Sequence, residues 1–203
     1  MIGQTNMNGA LSAKVFRAEK ATIGWRASNV LRWAYIKGWL AVKVGIPIAK
    51  ALGLFSAVAT LEARVIKADG GVVDYGVLGH RVVTTAFVNY MVDSLQATEA
   101  NWVNFKYHDS GTGTTAEDAG DTGLVTPDGL ARVEGTQVDG AAANEYRSVG
   151  TISYTSSLAI TEHGLFNATT VGTLMDRTVF SAINVANGDS IQFTYTLTCT
   201  AGS

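Results

Sequence analysis

Cysteine occurs once in the 203 residues, at Cys199, so neither an intramolecular disulfide nor a multi-cysteine zinc site can be drawn. The three histidines, His80, His108 and His163, stand far apart in sequence and offer little for a metal centre. Proline occurs only twice, and the 22 glycines follow no three-residue period, which excludes a collagen-like chain. Charged residues are sparse, 16% against 47% apolar, so the chain has material for a buried core and is not of the disordered type. This length fits one domain, or one domain with an arm. No apolar run is clean enough for a membrane span. Residues 38–59 come nearest, but they include Lys43, Pro47 and Lys50. A lysine near the bilayer centre costs about 2.5–3.5 kcal/mol, and proline breaks a helix interior. These features argue against a span and leave open a basic helix lying on a surface. The polar, mixed start of the chain argues against a signal peptide.

Acidic charge is nearly missing from the first part of the chain, and the rest is acidic on balance. Residues 1–60 carry eight Lys and Arg against Glu19 alone, a net +7, and residues 61–203 carry seven against sixteen acidic residues, a net −9. A basic arm (1–60) on an acidic body (61–203) is the expected organisation. Opposite fields on one chain would attract further copies of it or other faces of an assembly. The alternative is that the basic segment packs on its own domain.

Within the arm, Ser28 would cap a helix over 29–44, Gly45-Ile46-Pro47 would interrupt it, and a short helix would follow over 48–55. Trp25, Trp33, Trp39 and Phe55 are apolar anchors that need a partner surface. From Ala59 onward the pattern turns to strands. Leu61, Ala63 and Val65 alternate with polar neighbours, and Asp69-Gly70-Gly71 signals a turn. Short strands are expected over 72–75 and 79–83. A helix should run from Thr84 or Thr85 to Gln96, with Phe87, Val88, Met91, Val92 and Leu95 as its apolar face. Residues 102–108 alternate as a strand, and 109–129 read as a long exposed loop. Further strands are expected over 130–138, 146–154, 157–166, 178–185 and 190–200, with a hairpin at Asn187-Gly188-Asp189. About eight strands and one internal helix predict a mainly β protein, an antiparallel β-sandwich or jelly-roll-like domain carrying a partly helical basic arm.

Motifs for chemistry are thin. Gly111-Thr112-Gly113-Thr114-Thr115 lacks the lysine of a phosphate loop, and Glu117, Asp118 and Asp121 would repel phosphate. Asp109, Glu117, Asp118 and Asp121 lack the spacing of a calcium loop. Glu162-His163 and Asp176-Arg177 suggest acid–base work, but no serine sits in a nucleophile elbow, and a structural pairing of Glu162 or Asp176 with Arg177 is favoured. The arm's cations, interleaved with Trp25, Trp33 and Trp39, would suit nucleic acid, yet they are spread from Lys14 to Lys50 without a dense cluster. Docking onto an acidic subunit needs no more than this. No catalytic, cofactor-binding or metal-binding residues are assigned.

Four stretches carry a resemblance: Thr161-Glu162-His163-Gly164-Leu165-Phe166-Asn167, Gly172-Thr173-Leu174-Met175-Asp176-Arg177, Phe180-Ser181-Ala182-Ile183-Asn184-Val185, and Gly188-Asp189-Ser190-Ile191-Gln192-Phe193-Thr194-Tyr195-Thr196-Leu197-Thr198. Together with Tyr107-His108, the Gly111–Thr115 run, Asp121-Thr122, Leu124 and Arg132, they resemble the C-terminal part of tailed-bacteriophage structural proteins. The likeness covers roughly 61–203. It implies a non-enzymatic virion component, assembled in the bacterial cytoplasm, with the major capsid protein or other virion proteins as partners. A capsid cement or decoration protein is the leading expectation. A tail, neck or fibre-attachment protein is the alternative, and a membrane-active or glycan-binding module stands further off. In the leading reading Trp25, Trp33, Trp39 and Phe55 anchor the arm between subunits, while Arg26, Arg32, Lys37 and Lys43 meet acidic patches. A homo-oligomer, such as a trimer, would bury the arm. Within the motif, Gly164 would allow a bend, Leu165 and Phe166 would return to the core, and Gly188-Asp189 would form the last hairpin.

Overall fold

Ile191, Phe193, Tyr195 and Leu197 alternate with Gln192, Thr194 and Thr196, and this period-two pattern forms the centre of the molecule. The computed structural model describes residues 56–81, 83–95 and 104–200. In chain order the strands are β1 (Ser56–Ile66), β2 (Val72–Arg81), β3 (Tyr107–Gly111), β4 (Val133–Glu134), β5 (Thr136–Asp139), β6 (Glu145–Ser153), β7 (Leu158–Phe166), β8 (Leu174–Val185) and β9 (Ser190–Thr200). One helix, α1 (Thr85–Leu95), lies between β2 and β3. The described residues are mainly β and form two antiparallel sheets, ordered β2-β1-β9-β6-β5 and β4-β3-β7-β8. The eight expected contact residues, Trp25, Arg26, Arg32, Trp33, Lys37, Trp39, Lys43 and Phe55, lie outside the described residues, as do the two arm helices and Trp102.

Register explains why the centre fills. Phe193 lies opposite Ala63 on β1 and Gly150 on β6, and Tyr195 lies opposite Leu61 and Ser148. Phe193 thus sits between two small residues and Tyr195 beside one, as close packing requires. Ile160, Leu165, Phe180 and Ile183 of the second sheet join the same hydrophobic cluster. Phe87 and Tyr90 of α1 meet Phe105 edge-on, with ring centroids 5.0 and 4.9 Å apart. Each such side chain contributes roughly 1.5–3 kcal/mol when buried.

Several expectations change in detail. The two short strands over 72–83 are one strand, β2, whose pairing with β1 shifts register twice, and Gly76 takes a left-handed φ of 60° there. The residues before β3 turn instead of extending: Lys106 N–H donates to Asn104 O at 2.7 Å, which places both Phe105 and His108 inside. The helix starts where expected, with Thr84 Oγ1 accepting the Phe87 N–H at 3.2 Å as an N-cap. Its inner face, however, is Phe87 and Tyr90, because both pack on Phe105. Val88, Val92 and Leu95 are left exposed. The loop expected over 109–129 begins inside β3, where Asp109, Ser110 and Gly111 are buried. Gly164 lies within β7, between two irregularities in its pairing with β8. It leaves room, since a Cβ there would stand 2.9 Å from Phe166 Cε2 and 3.0 Å from Leu124 Cδ2.

Candidate functional site

Strands β7 and β8 carry polar runs through the interior. Glu162, His163, Asp176, Arg177 and Thr178 are all 1% exposed or less. Such groups must be paired where they sit. Glu162 Oε1 accepts N–H groups from Gly113 at 3.1 Å and Thr126 at 2.7 Å, and its Oε2 accepts from Val125 N at 3.1 Å and Arg177 Nε at 2.8 Å. Arg177 sends its remaining donors to Asp121 Oδ2 and Thr115 O, each at 3.0 Å. Thr161 Oγ1 donates to Gly113 O at 2.9 Å. The Glu162–Arg177 pair therefore ties residues 112–126 onto the second sheet. Glycine is needed at Gly111 and Gly113 because the carboxylate lies against their backbone. A Cβ on Gly111 would stand 2.7 Å from Glu162 Oε1, and one on Gly113 would collide with it. The arrangement realises the structural pairing of Arg177, with Glu162 as its partner.

Neighbouring charges are also engaged. Arg132 Nε donates to Asp109 Oδ2 at 3.1 Å, Nη1 donates to Ala168 O at 3.0 Å, and the guanidinium stacks 3.4 Å from the Phe166 ring centre. Burial pushes the Asp109 carboxyl up, with Arg132 opposing the shift. Ser110 Oγ donates to Asp128. Of the residues considered for calcium, Asp109 is held by Arg132, Asp121 by Arg177, and Asp118 Oδ1 accepts the Gly120 N–H at 2.8 Å. Among the described residues, no group of three or more His, Cys, Asp or Glu is placed to hold a metal ion.

A second buried array links the two sheets. His108 Nδ1 lies 3.0 Å from His163 Nε2, and His108 Nε2 lies 2.9 Å from Ser148 Oγ. The order serine–histidine–histidine has the connectivity of a nucleophilic triad. All three residues are 0% exposed, so a substrate carbonyl has no approach to Ser148 in this conformation. Burial pulls the His108 pKa down to about 3. Gly135 and Gly150 flank the ring so closely that a Cβ on either would stand 2.7 or 2.5 Å from it.

An open concavity among the described residues lies elsewhere. A pocket of about 610 Å³ is walled by Phe87, Met91, Phe105, Met175 and Leu197, with Cys199 beside them. Asp139 and Glu145 mark its polar side. Tyr146, also in the lining, donates its hydroxyl to Phe105 O, and burial raises its pKa.

No family model, curated protein or solved structure matches the chain.

Residues 161–167, 172–177, 180–185 and 188–198, singled out in the sequence, fall on β7, β8 and the β8–β9 hairpin, where their polar residues hold the body together. The eight expected contact residues lie outside the described residues. Residue types alone missed His108, Ser148 and the pocket. The available signal was the spacing Tyr146, Ser148, Gly150, Ile152, a strand face with two small members, which demands something large opposite. No helix among the described residues is long and apolar enough to cross a membrane.

Proposed function

We propose that the chain is a structural protein of a tailed-bacteriophage virion, acting as a capsid cement or decoration protein and not as an enzyme. The body would be an antiparallel β-sandwich of the jelly-roll kind, and the basic arm would dock on neighbouring subunits through Trp25, Arg26, Arg32, Trp33, Lys37, Trp39, Lys43 and Phe55. The partners would be the major capsid protein, other virion proteins and further copies of the chain. One observation supports this reading beyond the sequence likeness: the two polar arrays that most resemble catalytic groupings are buried inside the body. Glu162, Arg177, His108 and Ser148 bond to one another, to Asp121, to His163 or to backbone, and each is 1% exposed or less. The surface instead offers apolar side chains, with Val88, Val92 and Leu95 on α1 and Val72, Val73, Tyr75 and Val77 on β2. Exposed apolar patches favour association over turnover.

Quantitative mass spectrometry of purified particles tests the proposal. A copy number on the scale of the shell subunits is the expected result. A ring-sized copy number would move the chain to the tail or neck, and absence from particles would remove the virion reading.

A further inference from the structure

The apolar pocket lies beside the point where the N-terminal segment enters the fold. Ser56 pairs with Thr200 and Ala57 with Cys199, and Cys199 lines the pocket. Residues 38–55 join the body at that end of the sheet. The segment has 18 residues, about 27 Å if helical and about 60 Å if extended, enough to traverse the pocket in either form. Its composition matches the cavity. Trp39, Leu40, Ile46, Ile48, Leu52 and Leu54 are apolar, while Lys43 and Lys50 would meet the polar side at Asp139. Glu145, also in the lining, already accepts the Ala141 N–H and lies 4.0 Å from Arg147 Nη2.

A second observation points to a cover at this place. Met91 lines the pocket, and on the same helix Val88, Val92 and Leu95 are 44%, 48% and 87% exposed. Val88 and Leu95 stand three and four residues from Met91, so the stripe continues the apolar wall out of the pocket. A helix face of this kind on a surface normally has a covering partner. Covalent attachment gives the adjoining segment an effective concentration that a separate molecule reaches only at millimolar levels.

We infer that this pocket and the outer stripe of α1 form a socket for residues 38–55 of the same chain. Trp39, Lys43 and Phe55 then belong to the body, and the segment left for neighbouring subunits is 1–37, with Trp25, Arg26, Arg32, Trp33 and Lys37. The inference concerns the isolated chain and does not depend on where the protein resides in a particle.

Two measurements on the purified full-length chain decide it. In a trypsin time course read by intact mass, cleavage should occur early at Lys14, Arg17, Lys20, Arg26 and Arg32, and at least tenfold more slowly after Lys43 and Lys50. The exposed substitution Leu95→Glu should remove that protection while circular dichroism and the melting transition report an intact body. Because Cys199 is the sole cysteine, Ala41→Cys and Ala49→Cys each create one possible intrachain disulfide, with Thr5→Cys as the distant control. Under an added oxidant, the two segment variants should close an intrachain bond faster than the control, and Leu95→Glu should abolish the difference. Early cleavage at Lys43 and Lys50, protection that survives Leu95→Glu, a disulfide-linked dimer, or equal rates for all three cysteine variants would overturn the socket. None of these outcomes bears on the copy number, so failure here and failure of the virion reading are separable.

Discussion

At the scale of single residues, the interior is organised by small side chains that let polar ones in. Gly113 permits Glu162 to reach four donors, and Gly150 permits His108 to reach Ser148 across the two sheets. Gly113→Ala should cost about 1–3 kcal/mol, because the added methyl must displace a buried carboxylate. A urea denaturation midpoint lowered with unchanged m-value is the expected reading, and an unshifted midpoint would remove the clasp as a source of stability. His108 gives a pH signature. Its folded pKa of about 3 lies below the ordinary value of 6.5, so between these limits the unfolded chain binds more protons. Stability is fully present above pH 6.5 and is lost as pH falls towards 3. His108→Gln should flatten the fall between pH 6.5 and 4.5, before most carboxylates titrate. Midpoints measured across that interval for both proteins check this, and parallel curves would contradict it.

At the scale of elements, connections are held by side chains that bridge two turns at once. Asp189 serves the β8–β9 hairpin through the Ala186 N–H at 2.9 Å. It also reaches the β1–β2 turn through Lys67 Nζ at 2.8 Å and the Ala68 N–H at 3.0 Å. The Lys67 bond, followed by that from Ala186 N–H, holds the carboxyl down to about 2. A depressed carboxylate stabilises above its ordinary value of 3.8, and the benefit disappears as pH drops towards 2. Asp189→Asn should therefore lower the melting temperature at pH 7 and bring it towards the parent's value at pH 2. An equal deficit at both pH values would show that shape, not charge, matters at this turn. The same turns were legible in the sequence, because Asp69-Gly70-Gly71 and Asn187-Gly188-Asp189 place glycine where φ reaches 87° and 89°. The face of α1 was not, since rotation about a helix axis depends on which neighbour supplies the mate, here Phe105. Strand β2 is an edge with exposed Val73, Tyr75 and Val77, and its two register shifts blunt it as a template for further pairing.

At the scale of the whole molecule, charge is segregated along the chain, +7 in residues 1–60 and −9 beyond. If the basic arm docks on acidic subunits, attachment to particles should weaken as salt is raised from about 0.05 to 0.5 M, where the screening length falls below about 5 Å. Sedimentation of particles with added protein would measure this. A chain lacking residues 1–37 should keep the parent's melting temperature and lose attachment. Attachment that ignores both salt and the deletion would shift the docking role to the apolar faces of α1 and β2.

Amino-acid order alone determined the mainly β character, the alternating inner face of β9, the closing turns and the split of charge, because each depends on residues a few positions apart. It also narrowed the partner of Arg177 to Glu162 or Asp176. The β7–β8 register made the choice: Gly164 faces Arg177 and puts Glu162 on the same side of the sheet, whereas Asp176 faces Leu165. The histidine–serine array, the anchoring of residues 112–126 and the apolar pocket exist only in three dimensions. Each joins strands distant along the chain, and the energy that favours them comes from burial and pairing that no local pattern encodes.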